Sequence, residues 1–196
     1  MIEYIKGQIV ELTPTELILE CGGIGYSILI SLQTYEAFQS ASQATVYIHH
    51  YLKEDEELYY GFATKDEREL FRLLISVSGI GVASARMMLS SLTSEEIRQA
   101  ILAEDVNKLK SVKGIGLKSA QRMVLELKDK VLKGEGTEES AIFAKADSSA
   151  SVEEATTALT MLGFSRANIA KVMPAILKEN PAAKVEDIIK AALKRL

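Results

Sequence analysis

Apolar and polar positions alternate with a period of two through residues 1–62. Leu17, Leu19 and Cys21 fall on one side of a strand while Glu16 and Glu20 fall on the other. Tyr26, Ile28, Ile30 and Leu32 repeat the pattern, as do Val46, Ile48 and Leu52. Such alternation marks half-buried β-strands. Cys21-Gly22-Gly23-Ile24 supplies a hairpin turn between two of the runs. Residues 2–10 and 58–62 bring the total to about five short strands, with one helical turn near 34–38. Five strands in so short a stretch predict a small barrel, closed or nearly so, of the OB type.

From residue 64 the period becomes helical. Thr64-Lys65-Asp66-Glu67 and Thr93-Ser94-Glu95-Glu96 both fit the capping box, in which the glutamate reaches back to the amide of the capping threonine. Leu70, Phe71, Leu73, Leu74 and Val77 form one apolar stripe, and Ile97, Ile101 and Leu102 mark a second helix. Met123, Val124 and Leu127 line a third, which carries Lys118 and Arg122 four residues apart on another face. The small, polar stretches 134–140 and 147–151 read as a tether. Residues 152–162, 165–173 and 185–196 read as three short helices, with Gly163 ending the first and Pro174 and Pro181 bracketing the connection before the last. The predicted class is therefore α+β and multidomain. A five-stranded OB-like barrel (1–63) precedes a helical domain (64–133), a flexible linker (134–151) and a three-helix, UBA-like tail (152–196).

The helical domain contains an internal repeat. Val77-Ser78-Gly79-Ile80-Gly81-Val82-Ala83-Ser84-Ala85 returns as Val112-Lys113-Gly114-Ile115-Gly116-Leu117-Lys118-Ser119-Ala120, at an offset of 35 residues. A Gly-Ile-Gly turn that opens a helix is a device for holding phosphate. Its glycines admit positive φ and close backbone approach, and the helix behind it offers free amides and the positive end of its dipole. Two copies in register predict tandem helix-hairpin-helix units that grip nucleic-acid backbone. The candidate contacts are Gly79, Ile80, Gly81 and Ser84 in the first copy. In the second they are Gly114, Ile115, Gly116, Lys118, Ser119 and Arg122.

Charge changes the picture only once it is divided. The whole chain carries −4. Residues 1–62 hold two Lys/Arg against nine Asp/Glu, residues 63–133 thirteen against nine, and residues 134–196 eight against nine. Within 108–133 eight cations face only Glu126 and Asp129, a local excess centred on the second hairpin. Local field, rather than total charge, steers phosphate. The single cysteine excludes an internal disulfide framework, the first residues lack a signal-peptide core, and no apolar run approaches a membrane span. A soluble, cytoplasmic protein is expected.

Helix-hairpin-helix modules also serve DNA repair nucleases and glycosylases, which is the alternative reading. Nucleases cluster carboxylates around a metal. Glu126 and Asp129 stand among lysines without a further acidic partner, and the adjacent His49 and His50 point to opposite faces of a strand. Gly114-Ile115-Gly116-Leu117-Lys118 lacks the spacing of an ATP-binding loop. No catalytic residue, metal or cofactor is expected.

The doubled Gly-Ile-Gly, the barrel before it and the tethered tail after it, in that order, resemble the RuvA family of bacterial Holliday-junction-binding proteins. Leu58-Tyr59-Tyr60-Gly61-Phe62 is similar to the family's ending of the barrel, and Gly22-Gly23-Ile24-Gly25-Tyr26 to its glycine-rich turn. The resemblance covers essentially the whole chain. It implies a homotetramer, single or paired, that holds a four-way junction open without reading its sequence. It also implies an acidic pin near the crossover, here Glu54 and Asp55. The tail would dock on RuvB, the hexameric AAA+ ATPase that drives branch migration in recombination and repair, with the RuvC resolvase a further candidate partner. Leu162 and Phe164, in the Met161-Leu162-Gly163-Phe164 turn, are the candidate motor contacts, although core is the more frequent role for such residues. Where the family often carries a lysine after the first hairpin, this sequence has Val82-Ala83-Ser84. The first site is therefore expected to be the weaker one, resting on amides and Ser84.

Overall fold

The computed structural model describes residues 2–132, 148–180 and 183–196. They divide into two compact units. One holds the barrel and the helices up to residue 132, and the other holds the tail.

Strands β1 (Tyr4–Leu12), β2 (Glu16–Cys21), β3 (Ile24–Ile30), β4 (Gln43–Leu52) and β5 (Glu57–Phe62) close into a barrel in the order β1-β2-β3-β5-β4. All pairings are antiparallel except β3 with β5. The expected OB-like barrel is thus present. Alternation fills its interior with Ile5, Leu17, Leu19, Ile28, Ile30, Val46 and Ile48, and helix α1 (Leu32–Phe38) closes it with Phe38. At Gly7 any Cβ would stand 2.0 Å from the carbonyl oxygen of Glu20, so only glycine lets β1 cross β2 there.

Four details depart from the sequence reading. Strand β1 starts and ends about two residues later than 2–10, an ordinary boundary error. Leu32 does not continue β3, because Ser31 caps α1 by accepting from the Thr34 amide and so ends the strand. Cys21 is exposed at the hairpin turn. Leu52 has the parity of the core face but is 67% exposed, since β4 runs on past the barrel into the β4–β5 hairpin.

Helices α2 (Lys65–Ile75), α3 (Val82–Ser91), α4 (Ser94–Leu102), α5 (Val106–Lys110) and α6 (Leu117–Leu132) follow. Their core joins Leu70, Phe71, Leu74, Val77, Met88, Leu89, Ile97, Ile101, Met123 and Leu127 to Tyr60 and Phe62 of β5. The boundary drawn at residue 63 therefore separates elements but not a core. The capping box at Thr93 forms in full. At Thr64 only half of it forms. Thr64 accepts from the Glu67 amide, but the Glu67 carboxylate accepts instead from Ser31 Oγ at 2.6 Å, from Thr34 Oγ1 at 2.8 Å and from the Ala63 amide at 3.2 Å. Glu67 is thus drawn into a buried seam between α1 and α2.

Other polar links tie the barrel to the helices. Arg68 donates to the Glu3 carbonyl at 2.9 Å and pairs with the Glu3 carboxylate, and Leu32 donates its amide to Ser90 Oγ at 3.1 Å. Inside the helical layer, Arg98 pairs with both oxygens of Asp66 at 2.9 and 2.8 Å.

In the tail, α7 (Ser148–Met161), α8 (Arg166–Glu179) and α9 (Val185–Leu193) pack through Ala155, Leu159, Ile169, Met173, Ile176, Ile188 and Ala192. The three-helix reading holds, with two corrections. Helix α7 begins one turn before residue 152, so 148–151 belong to it rather than to the linker; Ser and Ala are as compatible with a helix as with a tether. The rest of the linker reading, 134–147, and Pro181 lie outside the described residues. Pro174 does not end α8 but sits inside it, on an exposed face, while Met173 and Ile176 on the core side hold the helix across it. Tertiary burial outweighs the roughly 3 kcal/mol cost of an interior proline.

Candidate nucleic-acid interface

The two Gly-Ile-Gly turns have the same backbone. Gly79 and Gly114 both hold φ of 90°, which is where glycine is required. Each turn is closed by the isoleucine amide, Ile80 to the Val77 carbonyl at 3.0 Å and Ile115 to the Val112 carbonyl at 3.1 Å. Each helix then begins alike, Ala85 donating to Gly81 and Ala120 to Gly116, both at 3.0 Å. Val77, Ile80 and Ala85 are buried, as are Val112, Ile115 and Ala120. The repeated apolar residues thus anchor the turns to the core, and the repeated glycines face outward.

This geometry divides the residues singled out from sequence. Ile80 and Ile115 are 5% and 6% exposed, and their amides are already donated within the turn, so neither side chain nor amide is offered outward. What remains at each site is the exposed glycine pair and the first-turn amides of α3 or α6. Gly81 caps α3 with no side-chain hydrogen bond, so no cap side chain occupies the first amides of that helix. Ser84 and Ser119 are half-buried, while Lys118 and Arg122 are exposed.

The turns are also brought together. A Cβ built on Gly79 would lie 3.7 Å from Ser119 Oγ, and Arg122 Nη1 reaches Ser78 Oγ at 3.1 Å and the Ser78 carbonyl at 3.4 Å. The sequence reading missed this contact between the copies; spacing within one helix carries no information about it. Arg86, one turn beyond the first hairpin, donates to the Thr15 carbonyl of the barrel at 3.2 Å.

The basic excess is smaller than composition indicates. Lys108 pairs with Glu96 at 3.2 Å and Lys128 with Glu104. Both glutamate carboxyls are held below their ordinary range, Glu96 first by the Thr93 amide and then by Lys108, and Glu104 by Lys128. Lys110, Lys113, Lys118 and Lys130 form no ion pair among the described residues, and the first three flank the second turn.

Glu54 and Asp55 occupy the exposed tip of the β4–β5 hairpin, which is closed by Lys53 donating its amide to the Glu56 carbonyl at 2.8 Å. Neither makes an ion pair among the described residues. His49 and His50 do point to opposite faces. His49 packs on Phe71, with burial lowering its pKa, and His50 stacks on Tyr59 and bonds Glu57 at 2.9 Å. Among the described residues no cluster of three His, Cys, Asp or Glu could hold a metal, and no helix is long and apolar enough to cross a membrane.

In the tail, Gly163 (φ 98°) ends α7 in a Schellman turn. Phe164 donates to the Leu159 carbonyl at 3.2 Å and Gly163 to that of Thr160 at 3.0 Å. Phe164 packs against the core of the unit, whereas Leu162 is 60% exposed. The two candidates for partner contact therefore sit in different environments.

Comparison with known proteins accounts for each part of this architecture. The RuvA N-terminal domain family matches residues 1–61, the SAM-like helix-hairpin-helix tandem matches residues 71–129, and the RuvA C-terminal domain matches residues 150–196. The chain is 52% identical over 196 residues to the Holliday junction branch migration complex subunit RuvA of Christiangramia forsetii, with both chains covered in full. It is 51% identical over 202 residues to that of Bacteroides fragilis and 45% over 196 residues to that of Flavobacterium psychrophilum, again over all of each chain. A barrel, a tandem of Gly-Ile-Gly turns and a helical tail in this order, with about half of the residues identical over the full length of each chain, make this chain a member of the RuvA family.

Proposed function

We propose that this protein binds four-way DNA junctions by their backbone, as the DNA-binding subunit of a branch migration complex. The observation that carries the reading is the pair of matched turns, set side by side, each opening a helix, with no side-chain cap on α3 and with lysines that form no ion pair among the described residues flanking the second turn. Phosphate contacts of this kind position a protein without reading bases. Selection of a junction then has to come from shape, namely four duplex arms met by a four-fold array of paired hairpins in a homotetramer. The anionic hairpin tip carrying Glu54 and Asp55 fits a place near the crossover, where carboxylates repel phosphates and keep the strands apart. The tail, a separate unit with its own core, would carry the contact to the RuvB motor, which supplies ATP hydrolysis.

The deciding experiment is native mass measurement of the free protein and its junction complex, with competition by duplexes of unrelated sequence. Four or eight copies per junction, with equally weak competition from every duplex, is the expected result. Binding by a monomer, or competition that depends on duplex sequence, would overturn the reading.

A further inference from the structure

The hairpins are copies in backbone but not in charge. At the repeat offset, Lys113, Lys118 and Arg122 of the second copy correspond to Ser78, Ala83 and Met87 of the first. The one basic residue in that stretch of the first copy, Arg86, is turned to the barrel. The first turn thus has its glycines and amides in place but no cation drawn from its own repeat.

Arg122 crosses between the copies. Its Nη1 donates to Ser78 Oγ at 3.1 Å and to the Ser78 carbonyl at 3.4 Å, on the loop that leads into Gly79. The approach is general to the two loops, since Gly79 itself lies against Ser119 at the start of the helix that carries Arg122. Both acceptors on Ser78 are uncharged, so the guanidinium keeps its full positive charge at the rim of the first turn. Nε and Nη2 make no hydrogen bond among the described residues, which leaves donors in the planar fork for a second ligand.

We infer that Arg122, although carried by the second repeat, is the cation of the first hairpin. Ser78 orients it there, and it completes that site for a DNA backbone phosphate while fixing the spacing of the two turns. The inference rests on the phosphate-gripping function proposed above. It gives each turn a cation of its own, Lys118 for the second and Arg122, reaching across from the second repeat, for the first.

The test is a set of double-mutant cycles on the full chain, read as binding to a labelled four-way junction across a salt series. Arg122→Ala weakens binding about tenfold or more, as for loss of one hydrogen bond to a charged group, and lowers the salt slope. Ser78→Ala weakens binding while Arg122 is present and adds nothing once Arg122 is alanine. Lys118→Ala multiplies with Arg122→Ala as an independent site does. Independent effects of Ser78→Ala and Arg122→Ala, or coupling of Arg122 to Lys118 instead, would overturn the assignment. So would a loss of thermal stability in Arg122→Ala with an unchanged slope, which marks a contact internal to the fold. If neither Lys118→Ala nor Arg122→Ala moves the slope, the phosphate-binding reading itself fails. If only Lys118→Ala moves it, that reading stands and the role given to Arg122 fails.

Discussion

Serine at Gly81 and at Gly116 should move stability and DNA binding in opposite directions. Gly81 has φ −89° and ψ 169°, an ordinary extended conformation, and a Cβ there meets nothing within 4 Å. Gly116 also lies outside the left-handed region, with open space around it. The fold therefore does not require glycine at either position, unlike Gly79 and Gly114, where φ of 90° strains any other residue by about 1–3 kcal/mol. A serine at 81 places its hydroxyl where it accepts from the amides of Ala83 or Ser84, and a serine at 116 does the same for Lys118 or Ser119. Serine exceeds glycine at such a cap by a few tenths of a kcal/mol, which corresponds to a rise in Tm of about 1–2 °C. The same hydroxyl fills the place of a phosphate oxygen. Losing one charge-assisted bond there costs about 1.5–3 kcal/mol, or roughly 10–150-fold in Kd. Thermal unfolding and fluorescence anisotropy on a labelled junction at fixed salt measure both quantities, with Gly114→Ala as the control that loses stability as well. Serine variants that bind DNA as tightly as the parent would show that the first-turn amides do not hold phosphate. Serine variants destabilised by more than about 1 kcal/mol would show that the local geometry has been misread.

Three further outcomes are expected. Glu54→Gln with Asp55→Asn removes charge from the β4–β5 tip at little change in size, and the variant should bind plain duplex better relative to junction; an unchanged ratio in competition gel shifts would reduce the tip to a solvated turn. A chain ended after Lys133 should keep junction binding and lose stimulation of the RuvB ATPase, because the barrel and both hairpins form a unit separate from the tail; truncated protein that still drives branch migration would place the motor contact elsewhere. Burial raises the pKa of the Glu67 carboxyl, so its proton-bound form stabilises the fold below about pH 4.5 and that contribution is lost as pH rises through the raised value. Glu67→Gln should therefore flatten the change in stability as pH rises above about 4.5, and a variant that tracks the parent there would show that the carboxyl is not penalised by burial.

The sequence reading succeeded where information is local and periodic. Alternation placed the strands of the barrel, and the repeat placed both turns to the residue, because positive φ at Gly79 and Gly114 is a requirement that sequence displays directly. It failed where two distant segments decide the outcome. Glu67 looked like half of a capping box because Thr64 and Glu67 have the right spacing, yet hydroxyls from residues 31 and 34 claim its carboxylate. Pro174 looked like a stop because local cost predicts one, but Met173 and Ile176 on either side of it are buried in the tail. The roles of Arg86 and Arg122 were hidden for the same reason, since each reaches an acceptor on another element.

The polar seam between barrel and helices also bears on the order of folding. Ser31 and Thr34 have their buried hydroxyls satisfied by a residue 33 to 36 positions further along the chain, and the Glu3 carbonyl is bonded by Arg68 across 65 positions. During synthesis the barrel strands emerge first, but Ser31 and Thr34 then lack the Glu67 carboxylate that accepts from both, and β5 lacks the Phe71 ring that covers Tyr60 and Phe62. A nascent chain stalled before α2 would thus hold an incomplete barrel, open at the side where Glu67 belongs. The barrel and the hairpin helices should consequently gain their structure in a single late cooperative step, limited by closure of these long loops. In calorimetry the tail, with a core of its own, should melt as a second and independent transition.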